Sequence, residues 1–322
     1  MTHYDVFNGD ADGICALHQL RLAYPRDSQL ITGVKRDITL LERVVAKPGD
    51  KITVLDISLD KNREALLALL EQGTRVVYFD HHFPGDIPAH RGFEAHIDRA
   101  PDVCTSLLVD RFLQGRYRIW AVIGAFGDNL HEAARRAAES LHLSADQLDA
   151  LQSLGIYLNY NGYGETLADL HFPPDQLYRL LHHYSDPFAF IAGEPAFHQL
   201  RQGYAEDMAK AGELQPEMAT EACALYILPD APWSRRVSGS FGNRLAQSWP
   251  KRAHAILTRR SDGYTVSVRA PLAAPTGADE LCRRFDNGGG RKAAAGINCL
   301  PEASLDEFVA QFRAAWSPAT SA

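Results

Sequence analysis

The first half of the chain alternates short apolar runs with a segment of helical periodicity. Residues 59–72 place leucines on one helix face and end before Gly73, a residue typical of helix C-termini. The apolar runs have the length of strands and occupy residues 4–7, 30–34, 52–55 and 75–79. Strand, helix and strand in this order predict right-handed crossovers and a mostly parallel sheet. We therefore expect an α/β fold in which ligands bind beyond the carboxyl ends of the strands.

The last hundred residues show a different pattern. Two strands are predicted at residues 253–258 and 264–268, and Asp262-Gly263 between them is a common hairpin turn. Residues 304–307 form a capping box that opens a final helix with one apolar face. A smaller α/β domain with a mixed sheet is therefore expected at the C-terminal end.

The two halves are joined by a helical region. Residues 144–212 have mostly helical periodicity, interrupted by a loop expected at residues 159–164. The pattern predicts an N-terminal domain at 1–186, a helical connector at 187–215, a C-terminal domain at 216–322 and a frayed tail at 317–322.

Composition supports a globular protein of two domains and limits the kind of partner. The 322 residues are 46% hydrophobic and 23% charged, and 33 basic against 40 acidic residues give a net charge of −7. Proteins that coat long nucleic acids are usually basic, so any nucleotide ligand is expected to be small. Five scattered cysteines without a CxxC pair favour neither disulfides nor a thiolate zinc site and fit the cytoplasm. The longest uncharged apolar run, residues 119–127, is too short for a membrane span, and no export signal opens the chain.

Acidic residues follow most of the predicted strands. They are Asp10 and Asp12 after the first strand, Asp56 after the third, Asp80 with His81 and His82 after the next, and Asp128 after the apolar run 119–126. Carboxylates with one imidazole suit a hard or borderline divalent ion, with Mn²⁺ favoured over Mg²⁺ because of the histidine. Two such ions could neutralise the cluster and clamp a phosphate between them. The alternative for each acid taken alone is that it caps a helix or begins a turn. His182 and His183 are another candidate pair, with a structural role as the alternative.

Four short motifs occur in a characteristic order. GDADG, LDIS, DHH and GD resemble the four signature motifs of the DHH phosphoesterases. That family includes RecJ-type single-strand nucleases, nanoRNase-type oligoribonucleases, cyclic-dinucleotide phosphodiesterases and manganese pyrophosphatases. Residues 286–291 and 293–296 are similar to the glycine-rich signature of the DHH-associated C-terminal domain. The resemblance therefore covers both halves and leaves only residues 130–215 without a matching motif.

The resemblance implies a role for each matching residue. Asp12, Asp56, His81 and Asp128 match the ligands of one metal ion, Asp56 also bridges to a second ion, and Asp10 matches a ligand of that second ion. His82 matches a histidine that lies near the phosphate as an electrostatic or acid catalyst, and Asp80 is expected to orient the histidine pair. Gly288, Gly289, Gly290 and Arg291 are expected to bind the substrate.

Two positions depart from the family pattern. Many relatives place a metal-binding histidine where this chain has Val6, and RecJ-type members often have an aspartate where Asn8 stands. The metal site at Asp10 is therefore expected to be weaker, or filled together with the substrate. Arg291 stands where the C-terminal signature usually has a histidine, and its guanidinium can pair with a phosphate through two hydrogen bonds.

The resemblance implies a cytoplasmic, Mn²⁺-dependent phosphodiesterase of short linear 5′-phosphorylated oligonucleotides such as pGpG, with no membrane or long duplex partner. Two metal ions are expected, and Mg²⁺ is an alternative to Mn²⁺. The sequence does not decide whether the protein forms a homodimer. Alternatives with the same metal site are a RecJ-type single-strand exonuclease, a cyclic-dinucleotide phosphodiesterase and a 3′-phosphoadenosine phosphate phosphatase. Outside the enzymes, the alternative is a nucleotide sensor that kept the fold. A tRNA-editing role is disfavoured because synthetase motifs are missing.

Overall fold

The computed structural model describes residues 1–316, and the tail expected at 317–322 lies outside them. The chain divides into two compact units, Met1–Gly203 and a second that begins at Tyr204. The boundary falls within the segment 187–215, which the sequence assigns to a connector. The helix that contains this boundary runs without a break from Pro195 to Gly212. The domain limits at residues 186 and 215 therefore stay a prediction.

The first unit contains a sheet of five parallel strands in the order β2-β1-β3-β4-β5. The strands are β1 (His3–Phe7), β2 (Gln29–Ile31), β3 (Lys51–Leu55), β4 (Arg75–Asp80) and β5 (Phe93–Ile97). Phe7 pairs with Leu55, and Leu55 pairs with Phe79, so the carboxyl ends of the three central strands lie level. The four strands predicted between residues 4 and 79 are all present, although β2 ends at Ile31, and β5 was not predicted.

Nine α-helices of the described chain begin in this unit. They are α1 (Ala11–Ala23), α2 (Leu59–Glu71), α3 (Thr105–Phe112), α4 (Arg118–Gly127), α5 (His131–Ala138), α6 (Ala145–Gly162), α7 (Pro174–His182), α8 (Pro187–Gly193) and α9 (Pro195–Gly212). Helix α2 ends as predicted, with Gly73 at a φ of 85° just beyond it. The loop expected at residues 159–164 is mostly helical, because α6 continues to Gly162.

The core of the first unit is built around the buried helix α4. Its residues from Trp120 to Gly127 are all buried, which explains why the sequence shows a continuous apolar run rather than a helical stripe. A Cβ atom on Gly155 of α6 would collide with the carbonyl oxygen of Ile123, and one on Gly127 would collide with the Cβ atom of Ala11. Glycines therefore allow α1 and α6 to pack very closely against α4.

The second unit contains a mixed sheet of six strands in the order β10-β11-β9-β8-β7-β6. The strands are β6 (Met218–Ala219), β7 (Cys223–Leu228), β8 (Ala253–Arg260), β9 (Gly263–Arg269), β10 (Gly288–Gly290) and β11 (Ala294–Leu300), and the helices are α10 (Pro232–Ser248), α11 (Ala278–Cys282) and α12 (Leu305–Trp316). Only β7 and β8 are parallel to each other among these pairs. The predicted hairpin is confirmed, because Arg260 pairs with Gly263, but the two turn residues are Ser261 and Asp262 rather than Asp262 and Gly263. The final helix is also confirmed, with Phe308 and Phe312 fully buried.

The predicted fold class, a mostly parallel α/β sheet followed by a smaller α/β unit with a mixed sheet, is confirmed. Within residues 1–316, no helix combines the length and the apolar character that crossing a membrane requires.

Candidate metal centre

The carboxyl ends of three neighbouring strands bring the predicted acids together. Asp10 follows β1, Asp56 follows β3, and Asp80 ends β4 with His81 next in the chain. These strands pair in the order β1-β3-β4, so their ends share one edge of the sheet. Asp10, Asp56 and His81 are all buried.

Asp12 lies in the first turn of α1, beside this cluster, and is held by backbone donors. The N–H of Thr105 donates to one carboxylate oxygen of Asp12 at 2.7 Å, and the N–H of Ser106 donates to the other at 2.8 Å. Both donors are at the start of α3, where helix N–H groups have no partner within the helix. The Asp12 carboxylate is therefore fixed in place by the start of α3.

His81 is oriented so that one ring nitrogen faces the carboxylates. Its Nδ1 lies 2.9 Å from the carbonyl oxygen of Val103 and donates to it, which leaves Nε2 as the basic nitrogen. Nε2 lies 3.3 Å from Oδ1 of Asp56 and 3.9 Å from Oδ2 of Asp12. Two ligands that share one ion at about 2.1 Å and octahedral angles are about 3 Å apart, so the spacing between His81 and Asp56 fits a bound divalent ion.

The environment of Asp56 disfavours its ionised form. Burial, followed by repulsion from Asp12 and Asp10, raises its pKa well above the usual range of a carboxyl group. The hydroxyl of Thr105 donates to its Oδ1 at 3.1 Å. Its backbone adopts a φ of 61°, a left-handed conformation that aspartate and asparagine tolerate better than most residues. A cation bound here would relieve the repulsion that the protein alone leaves in place.

His82 and Asp80 form a separate pair beside these ligands. The Nδ1 of His82 lies 2.7 Å from an oxygen of the fully buried Asp80, and the other oxygen of Asp80 has no hydrogen-bond partner. Burial lowers the pKa of His82, but the Asp80 carboxylate raises it by more, so the net pKa lies above the ordinary value. The pair therefore holds a histidine that is protonated more readily than usual at the edge of the cluster.

Asp128 reaches the cluster by a different route from the one predicted. The apolar run at 119–126 is not a strand but helix α4, and Asp128 is the residue that caps its C-terminus. The close packing of Gly127 against Ala11 brings this helix end beside the start of α1. Asp128 is near enough to contribute to the raised pKa of Asp56.

Lys35 is a member of the site that the sequence reasoning missed. Its Nζ lies 2.5 Å from Oδ2 of Asp10 and 2.7 Å from Oδ1 of Asn159. Burial disfavours the ammonium, but attraction by Asp10, with smaller contributions from Tyr163 and Asp128, raises the pKa of Lys35 well above its ordinary value. The contact with Lys35 likewise offsets burial and holds the pKa of Asp10 below its usual range. The signal was its place in the chain, since Lys35 follows β2 as Asp10 follows β1.

The donor set fits a divalent metal ion. Among residues 1–316, one group of three candidate ligand residues has its ligand atoms within 4.8 Å of one another, namely Asp56, His81 and His82. His81 is also within 4 Å of Asp12. Oxygen donors with imidazole nitrogen suit Mn²⁺ or Mg²⁺ better than thiophilic ions. His182 is not part of this group. Its Nδ1 lies 3.2 Å from the Nδ1 of the buried His18 instead.

The glycine-rich segment predicted to bind substrate lies in the second unit. Gly288, Gly289 and Gly290 form the short edge strand β10 rather than a loop, and Arg291 follows it in an exposed tight turn to β11. A Cβ atom on Gly288 would collide with the carbonyl oxygen of Cys282, whereas Gly289 has open space around it. At least Gly288 is thus required by packing, and substrate binding by this segment stays a prediction.

Comparison with solved structures identifies the fold. The crystal structure of exonuclease RecJ bound to manganese is similar with a TM-score of 0.62 and 19% identity, over 97% of this chain and 89% of that chain. The chain has the fold of RecJ. A second RecJ structure, from Thermus thermophilus in complex with Mn²⁺, gives a TM-score of 0.59 and 19% identity over 97% of this chain, which spans about half (51%) of that RecJ.

The RecJ fold is shared by another enzyme in the comparison. The pGpG-specific phosphodiesterase PggH from Vibrio cholerae is similar with a TM-score of 0.54 and 15% identity, over 98% of this chain and 99% of that chain. No protein-family model matches the sequence, and no curated protein matches it. The resemblance to DHH phosphoesterases, drawn from the four motifs, is confirmed at the level of the fold.

Proposed function

We propose that the protein is a metal-dependent phosphodiesterase that hydrolyses short linear 5′-phosphorylated oligonucleotides, such as pGpG, to nucleoside 5′-monophosphates. One observation carries the proposal: Asp12, Asp56 and the Nε2 nitrogen of His81 converge at a sheet edge in a chain that has the RecJ fold. Carboxylates packed this closely in a buried site are typical of a centre that binds divalent cations.

The residues of the centre divide into metal ligands and a proton donor. Asp12, Asp56, His81 and Asp128 would hold the ion, which when bound supplies Lewis-acid polarisation of a phosphoryl oxygen. His82 has a different task, because Asp80 keeps its imidazole positioned and favours the protonated form. Water attacks the phosphorus and gives up one proton to the solvent, while a protonated His82 donates its proton to the leaving oxygen as the old phosphorus–oxygen bond breaks. The positive charge of the protonated His82 also attracts the negative phosphate before the reaction.

Two observations support a short substrate. The chain carries a net charge of −7, whereas tight binding of long nucleic acid depends on many basic contacts with phosphates. The match to the pGpG-specific PggH extends over almost the whole of both chains. Arg291 in the second unit is proposed to pair with the terminal phosphate of the substrate, as its exposed position allows.

A RecJ-like exonuclease is the second candidate, because the similarity to RecJ, at a TM-score of 0.62, exceeds that to PggH. The two candidates share the metal centre and differ in how the rate depends on substrate length. A processive enzyme keeps its efficiency as the strand grows, whereas a dinucleotide enzyme loses it.

The decisive experiment is a substrate panel assayed with Mn²⁺, with Mg²⁺ and with a chelator. The panel holds pGpG, unphosphorylated GpG, 5′-phosphorylated strands of increasing length, cyclic di-GMP and 3′-phosphoadenosine 5′-phosphate. Asp56→Asn is the matched inactive control, since asparagine keeps the size of the side chain and tolerates its left-handed backbone. We expect metal-dependent release of GMP from pGpG and a kcat/KM that falls with every added nucleotide.

Each alternative outcome has a definite meaning. Equal kcat/KM for long strands and pGpG would replace the proposal with a RecJ-like exonuclease. Hydrolysis of only the cyclic or 3′-phosphorylated compound would change the substrate and keep the metal centre. Undiminished activity in Asp56→Asn at saturating Mn²⁺ would refute the assignment of the centre itself.

A further inference from the structure

Both oxygens of the Asp10 carboxylate already accept hydrogen bonds from protein groups. One of its oxygens accepts from the backbone N–H groups of Asp12 and Gly13 at 3.0 and 3.1 Å, as the cap of helix α1. The other oxygen contacts the ammonium of Lys35 at 2.5 Å. Asp10 therefore differs from Asp56, whose negative charge has no basic side chain of Lys or Arg paired with it among the ion pairs of residues 1–316.

Lys35 is held in this position from several sides. Its backbone N–H donates to the carbonyl oxygen of Gly162 at 2.7 Å, and its own carbonyl oxygen accepts from the side chain of Asn8 at 3.3 Å. The ammonium donates to Asn159 and lies 5.3 Å from the centre of the Tyr163 ring. Contacts at the backbone and at the charged end make Lys35 an ordered part of the site rather than a surface lysine that contacts an acid by chance.

Apart from Asp56, whose carboxyl group lies within hydrogen-bonding reach of Asp10, the surroundings of Asp10 offer little to a second metal ion. The strand that leads to it, β1, contributes the fully buried and apolar Val6 rather than an imidazole. The group of candidate ligands around His81 contains Asp56 and His82 but not Asp10. A divalent ion at Asp10 would also have to sit beside the ammonium of Lys35, and two cations at such short range repel strongly in a buried site.

We propose that the ammonium of Lys35 takes the place of a second divalent ion at Asp10, so that the centre binds one ion, held by Asp12, Asp56, His81 and Asp128. This inference rests on the metal centre of the proposed function and specifies its stoichiometry. Lys35 then supplies a permanent positive charge on the Asp10 side of the site. That charge is placed to attract a phosphoryl oxygen where a second ion would otherwise do so.

The test is the number of ions bound, measured on metal-free protein without any substrate. Equilibrium dialysis against Mn²⁺ with elemental analysis gives the stoichiometry, and electron paramagnetic resonance distinguishes an isolated Mn²⁺ from a spin-coupled pair. We expect one isolated ion per chain in the parent. Lys35→Met removes the charge at nearly constant volume and should allow a second ion, with a coupled spectrum. Lys61→Met is the control, because Lys61 is exposed and its Nζ lies 3.9 Å from the half-buried Asp60.

A second variant covers the case in which Lys35→Met does not fold. Asp10→Asn should leave the stoichiometry at one ion with an affinity within a few-fold of the parent, because Asp10 is not a ligand in a one-ion centre. A fall from two ions to one in this variant would overturn the inference. Two coupled ions in the parent, or a folded Lys35→Met that still binds only one, would also overturn it. Binding of no ion in the parent would instead refute the proposed function and the inference together.

Discussion

The buried imidazole of His18 should make the stability of the protein depend on pH. His18 lies on α1 with its ring fully buried, and its Nε2–H donates to the carbonyl oxygen of Tyr184 at 3.0 Å. Its Nδ1 faces the Nδ1 of His182 at 3.2 Å, and the ring packs edge-on against Trp120. Since His18 already uses Nε2–H as a donor, its Nδ1 accepts from His182. A second proton on His18 would have to enter this contact.

The magnitude follows from the pKa. Burial, with a smaller contribution from His182, lowers the pKa of His18 from 6.5 to about 3. A depressed pKa means that the unfolded chain binds this proton first, so the contribution of His18 is complete above about pH 6.5 and decreases as the pH falls toward 3. pH 5 is about 1.5 units below the pKa of His18 in the unfolded chain. Protonation of the unfolded chain at this pH therefore lowers the free energy of unfolding by about 2 kcal/mol.

The assay is urea denaturation of metal-free protein at pH 7 and pH 5. His18→Gln keeps a donor for the Tyr184 carbonyl and cannot be protonated, so its stability should fall by about 2 kcal/mol less than that of the parent between these pH values. His198→Gln is the control, because His198 is an exposed helical histidine and should follow the parent. If the parent and His18→Gln lose stability in parallel, the low pKa and the hydrogen-bond scheme behind it are wrong.

Three further predictions concern the site and its scaffold. His81→Ala should lose bound metal, whereas His82→Ala should keep it and lower kcat by a factor on the order of 10²; equal metal loss in elemental analysis would make both residues ligands. Arg291→Ala should lower kcat/KM for pGpG, by a factor that corresponds to about 1.5–3 kcal/mol, and should leave kcat/KM for unphosphorylated GpG and the metal content unchanged. An equal loss for both substrates would assign Arg291 a structural role. Gly155→Ala should destabilise the protein by about 1–3 kcal/mol in thermal unfolding, because its methyl group meets α4, whereas Gly193→Ala, with nothing within 4 Å, should not; similar effects of the two changes would contradict the close packing.

The parallel sheet and the grouping of most acids could be predicted because one rule covers both. Apolar runs of strand length separated by helical periodicity indicate parallel strands, and parallel strands bring the residues that follow them to one edge. Asp10, Asp56 and Asp80 were found in this way. The short strand β5 was missed because its five residues, Phe93–Ile97, are none of them fully buried and carry little apolar pattern.

Other features depended on packing that the pattern does not encode. A helix buried on all sides has the same continuous apolar run as a buried strand, so the route by which Asp128 reaches the site was predicted wrongly. Lys35 was missed because a lone lysine carries no motif, and its meaning comes from Asp10 and Asn159, which are 25 and 124 residues away. The extension of α6 through Gly162 was missed because asparagine, tyrosine and glycine favour turns in isolation.

The two hydrogen bonds that Asp12 accepts at the start of α3 also bear on how this protein could change over evolutionary time. Asp12 is needed to satisfy the N–H groups of Thr105 and Ser106 whether or not a metal is bound. Asp56 has no such duty, and its charge strains the metal-free protein. A descendant released from selection for catalysis would therefore lose Asp56 early and retain Asp12. In a comparison of related chains, Asp56 would be present in the catalytically active proteins, whereas Asp12 would also be retained in those that have lost catalysis.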